Sequence, residues 1–179
     1  MSFVEDPLFR QRYRFSREGD ILRVEMWTEP GGGVSIEHFH PRQEERFEVL
    51  EGEITFRVNG EKRRVGSGEW LVAEPGVRHT FENTGRGVAH HVSEAQPALE
   101  LQGFIEEAAA LARAGKYTRR GTPKGLRALL EASEMAERYR ETVVLTVPPP
   151  TIQRILLPPL ARLQRRRGSR AGRKQETPL

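Results

Sequence analysis

The stretch HFHPRQEERFEVLEGE, residues 38–53, sets two histidines one residue apart, places a glutamate five positions after the second, and then runs into an apolar segment. If VSIEHFH is a strand, His38 and His40 share a face with Val34 and Ile36. Two imidazoles about 6–7 Å apart along one strand can converge on a single ion. In the following segment, turning Glu45 inward also turns Phe47 and Val49 inward and sends Arg46 and Glu48 outward, the alternation of a half-buried strand. Glu44 then faces the other way, so Glu45 is the candidate ligand. A third histidine comes from EPGVRHTFEN, where the Pro75-Gly76 turn delivers the chain into a new strand at His79, with Phe81 on the same face. Three imidazoles and one carboxylate make a nitrogen and oxygen donor set suited to one divalent transition metal: Fe, Mn, Co, Ni, Cu or Zn.

The elements that must position these residues follow from punctuation and period. Residues 20–95 read as short β segments separated by Gly, Pro and Asn, which predicts an antiparallel sandwich or barrel. ITFRVNGEKRRV is the clearest hairpin, because Asn59-Gly60 can take the positive φ angles of a tight turn. After Pro97 the period becomes helical: Leu101, Phe104, Ile105, Ala108 and Leu111 form one stripe, and Gly115 suits the position past a helix end. A second helix is predicted from Thr122-Pro123, with Leu126, Leu129, Leu130 and Ser133 on one face. A third begins near Pro150 on Ile152, Ile155 and Leu156 and is predicted to stop at Pro158-Pro159.

The chain has 179 residues, enough for one domain with a sizeable core plus an appendage. It has no cysteine, which excludes disulfides and thiolate ligands. The formal charge of +4 is uneven: residues 162–179 carry +6, which leaves −2 for residues 1–161. The basic tail lacks aromatic residues for base stacking, so a solvated tail is expected and nucleic acid is not. No apolar run has signal-peptide or membrane-span character, so a soluble, cytoplasmic protein is expected.

The two histidine stretches resemble the paired motifs of the cupins. The first reads Gly32, five residues, His38-x-His40, four residues, Glu45, six residues, Gly52; the second reads Gly68, then Pro75-Gly76-x-x-His79, three residues, Asn83. One departure is Glu74 at a position where that family often has proline, with proline at 75 instead. The resemblance implies a mainly β protein, a small antiparallel jelly-roll barrel followed by a C-terminal helical extension, with one metal on His38, His40, Glu45 and His79. The expected organisation is a barrel with its N-terminal strands over residues 1–97, a helical extension over 98–164 packing on the barrel or a partner subunit, and a basic tail over 165–179 with too few apolar residues to fold.

Phe47, Val49, Phe56 and Phe81 are expected to fill the barrel, and those nearest the metal to form the apolar wall of a substrate pocket. His90 and His91 are adjacent, so only one can face inward, and the alternation of VAHHVSE does not say which. Trp27 and Trp70 are expected at the barrel mouth or under the helices. The resemblance implies a metal-dependent enzyme of dioxygenase or isomerase type acting on a small oxygen-bearing molecule, with Glu45 as ligand and base. The alternative is a non-catalytic, metal-dependent module that binds or senses a small molecule. A homodimer is expected, because cupin-like sheets pair through their outer faces.

Overall fold

The computed structural model describes residues 3–173, with side chains described to residue 166. In chain order its elements are β1 (Val4–Asp6), β2 (Gln11–Glu18), β3 (Ile21–Thr28), β4 (His38–Phe39), β5 (Glu44–Glu51), β6 (Glu53–Val58), β7 (Glu61–Gly66), β8 (Trp70–Ala73), β9 (His79–Glu82), β10 (Ala89–Gln96), α1 (Leu101–Arg113), α2 (Gly125–Arg138), β11 (Val144–Leu145) and α3 (Pro150–Arg173).

Two antiparallel sheets face each other. One has the order β1-β2-β3-β10-β5-β8 and the other β11-β4-β9-β6-β7. The predicted barrel is therefore a jelly-roll-like sandwich whose ladders, among the described residues, run in two separate sheets. From β4 onward the chain crosses repeatedly between them, so Glu45 on β5 stands on the opposite sheet from His38 on β4 and His79 on β9. Residues from both sheets fill the space between, including Leu22, Val24, Phe47, Val49, Ile54 and Phe56, all almost completely buried. Phe47, Phe56 and Phe81 form a tilted aromatic cluster with ring centroids 4.9–5.9 Å apart.

The hairpin is as the sequence predicts: Val58 pairs with Glu61 across Asn59 and Gly60, whose φ angles are +48° and +88°. Elsewhere the structure departs from expectation. VSIEHFH is strand only at His38–Phe39; Val34 and Ser35 lie outside it. In α2 the buried residues are Ala128, Leu130, Ser133 and Met135, while Leu126 and Leu129 are 59% and 42% exposed, so the predicted stripe is rotated. α3 continues through Pro158 and Pro159. The carbonyls of Arg154 and Ile155 lose their helical donors to these prolines, but both residues are exposed and water can serve them.

The basic segment expected to be unfolded from residue 165 is helical as far as Arg173; residues 174–179 lie outside the described residues. Trp27 lies on the outer face of the larger sheet against Phe3, Arg12 and Arg14. Trp70 is 59% exposed beneath Arg46, so neither tryptophan covers the core. The extension is not purely helical, because β11 joins the smaller sheet beside β4. No described helix is long and apolar enough to cross a membrane.

Gly33 is the tightest point of this arrangement. Its φ is +132°, and a Cβ there would lie 2.3 Å from the Phe81 carbonyl oxygen and 2.7 Å from Glu82 Cα, on the strand that carries His79. Gly33→Ala is expected to destabilise the protein by at least about 2–4 kcal/mol. Gly60→Ala meets nothing within 4 Å and should cost only the left-handed backbone penalty, about 1–2 kcal/mol. Urea unfolding of the two variants checks this; equal losses would contradict the close-approach argument.

Candidate metal centre

Four buried side chains meet at one end of the sandwich: His38, His40, Glu45 and His79. His38 and His79 are directly opposed across the β4–β9 pair. The three imidazoles place one donor nitrogen each within 4.8 Å of one another, and their ring centroids are 4.4–5.4 Å apart. Glu45 joins them from the facing sheet, with Oε2 3.0 Å from His40 Nε2 and 3.3 Å from His79 Nε2. The sequence-derived ligand set is thus brought together in one place.

The outer nitrogens decide what the inner ones offer. His38 Nδ1 donates to the Ile36 carbonyl at 2.9 Å, His79 Nδ1 to the Val77 carbonyl at 3.0 Å, and His40 Nδ1 to the Thr142 carbonyl at 2.8 Å. A neutral imidazole has one N–H, so these bonds leave every Nε2 as a lone pair. His40 Nε2 and His79 Nε2 are buried with no hydrogen-bond partner. They face a carboxylate oxygen, acceptor against acceptor, and such a contact is repulsive unless a cation lies between. A proton on the imidazole or a metal ion fills that role, so the donor set fits a divalent ion.

The titration properties agree. Burial, then the neighbouring His79 and His40, push His38 down to about 3, which keeps it a neutral lone-pair donor. Burial also opposes charge on His40, but Glu45 beside it outweighs burial and raises its pKa. Glu45 is held well below the usual carboxylate range, because His40 and His79 outweigh the penalty of burial. Ser93 on β10, which the sequence did not single out, donates its hydroxyl to Glu45 Oε1 and orients the carboxylate.

Beside the ligands opens a cavity of about 890 Å³ that His38, His40 and Glu45 help to line. Val24, Met26 and Phe81 supply its sheet walls, and Phe104, Met135 and Leu157 its helical walls. Of the four expected pocket residues only Phe81 lines it; Phe47, Val49 and Phe56 pack in the core.

The register settles the histidine pair. His91 points inward and is fully buried, with Nε2 2.8 Å from Thr28 Oγ1. His90 points outward, stacked on Trp27 at 4.5 Å and 2.8 Å from Glu25. Burial, then His90, lowers the His91 pKa to about 3. Its folded pKa lies below the unfolded value of about 6.5, so its share of stability is full above that value and falls as pH drops toward 3. Lowering pH from 7 to 5 should cost the metal-free protein about 2 kcal/mol through this residue, and His91→Gln should remove that part of the loss. Urea unfolding at the two pH values tests this; an identical pH dependence in the variant would contradict it.

Comparison with known proteins bears on the same region. Residues 24–93, less than half of the chain, match the cupin domain family model. The tetracenomycin polyketide synthase protein TcmJ of Streptomyces glaucescens is 38% identical over 68 residues, covering 38% of this chain and 45% of that protein. The match therefore spans less than half of that relative's length. KdgF from Halomonas sp. superposes with a TM-score of 0.50 at 19% identity, over 54% of this chain and 86% of that one. An RmlC-like cupin from Shewanella frigidimarina does so with a TM-score of 0.50 at 20% identity, over 56% and 87%. At such identities these two structures speak for the fold alone. Motifs, fold and family match converge on the same region: residues 24–93 match the cupin domain, the β-sandwich around them is cupin-like, and a C-terminal helical extension follows it.

Proposed function

We propose that this protein is a metal-dependent enzyme of the cupin type acting on a small, carbon-rich organic molecule that presents an oxygen donor to the ion. One divalent transition metal, Fe, Mn, Co, Ni, Cu or Zn, would be held by His38, His40, Glu45 and His79. The observation that carries the reading is the opening of His38, His40 and Glu45 onto a cavity of about 890 Å³. An ion kept for stability alone needs a closed shell, whereas four protein ligands beside a cavity leave room for an exchangeable partner.

When bound, such an ion supplies Lewis acidity toward a substrate oxygen and, for the redox-active metals, access to dioxygen chemistry. The chain's own residues do the rest. The carbonyls of Ile36, Val77 and Thr142 hold the imidazole tautomers, and Ser93 fixes the carboxylate. Ser93 occupies one oxygen of Glu45 and the other faces the inner nitrogens of His40 and His79, so its first role is ligand and base chemistry is secondary. The mainly apolar walls bind the body of the substrate and exclude water. The Streptomyces relative is named for a polyketide synthase, and a polyketide, carbon-rich with carbonyl or hydroxyl oxygens, is a class of molecule that such a cavity suits. The homodimer expected from the sequence stays part of this proposal.

Elemental mass spectrometry of untagged protein purified without chelators should find about one transition metal per chain. His79→Ala should reduce the content at least tenfold while leaving the fold intact by circular dichroism. A metal-free protein that also fails to load after reconstitution would sink the proposal. Tight binding of a polyketide-like ligand without turnover or oxygen consumption would favour the non-catalytic module.

A further inference from the structure

His40 differs from the other two histidines in where its outer nitrogen is anchored. His38 and His79 use carbonyls two residues back, Ile36 and Val77, so their own loops orient them. His40 uses the carbonyl of Thr142, 102 residues further along the chain and beyond α2. The same Nδ1 is 3.1 Å from Gln43 Oε1. Gln43 in turn donates to the carbonyls of Pro97 at 2.8 Å and Ala98 at 3.0 Å, where the extension begins. Gln43 and Thr142 are 1% and 2% exposed, so water cannot replace either contact.

A seam outside the ligand set holds Thr142 in place. β11 pairs with β4 so that Leu145 lies opposite His38 and Val144 opposite Phe39. The Thr146 amide donates to the Glu37 carbonyl at 3.0 Å. From α3, buried Gln153 donates to the carbonyls of Leu145 and Pro148. Gln153 has no hydrogen bond or ion pair with any of the four ligands.

We propose that the C-terminal extension is a working part of the metal centre: Gln43 and the Thr142 carbonyl position His40, so metal affinity depends on the extension being docked. This deepens the metal-dependent reading above and rests on it. The cavity lies between the same helices and the sandwich, so an occupant that loosens or tightens the docking changes metal affinity by the same factor that the metal changes occupant affinity. An extension that merely covered the sandwich would leave the affinity of the folded protein untouched.

The test is Co²⁺ binding by competition with a chelator, on the full chain and its variants. Gln153→Leu and Gln43→Leu should each weaken Co²⁺ about tenfold or more and shift its visible absorption, with circular dichroism unchanged. Ile155→Ala, on the 73% exposed face of α3, should match the parent. A second readout needs no variant: Zn²⁺ should slow amide hydrogen exchange at Leu145 and Thr146 in the parent. Folded variants binding within twofold of the parent, or unchanged exchange at those amides, would overturn the positioning role and leave the metal reading standing. A parent that binds neither ion would overturn both.

Discussion

The rest of the structure depends on one contact: the Glu45 carboxylate facing two imidazole nitrogens inside the sandwich, with Oε2 3.0 Å from His40 and 3.3 Å from His79. Each imidazole spends its only proton on a backbone carbonyl, so the inner atoms are all acceptors. Burying three such groups together costs several kcal/mol unless a cation joins them. The raised pKa of His40 and the depressed pKa of Glu45 express this same demand, with a proton as the cation. A transition metal meets it with more ligands and better geometry.

The architecture serves that contact. Because successive strands cross between the sheets, carboxylate and imidazoles approach from opposite sides, and no single strand could present them this way. Next to them the rings of Phe47, Phe56 and Phe81 pack together between the sheets. Gly33 lets the loop before β4 lie against β9, which fixes the opposition of His38 and His79. On the cavity side, the extension supplies walls and accepts the hydrogen bond of the third imidazole at Thr142.

The site was legible in the sequence wherever a local period governed it. Alternation put Glu45 inward and Glu44 outward, and the burial of the two residues follows that parity. The paired motifs marked His38, His40 and His79, and Asn59-Gly60 marked the hairpin. What local pattern could not carry were contacts across long separations: Thr142 to His40, Ser93 to Glu45, and β11 added beside β4. The rotated face of α2 has the same origin, since its apolar residues mark two candidate stripes and tertiary packing chose between them. Likewise Phe47, Val49 and Phe56 share the inward face with the ligands, and only depth along the strands separates core from cavity wall.

The most direct test of the central claim is X-ray absorption at the metal edge of the loaded protein. Three imidazoles and one carboxylate oxygen are expected around the ion, the remaining donors being light and exchangeable. Fewer than three imidazoles around the ion, or no metal retained to measure, would contradict the claim.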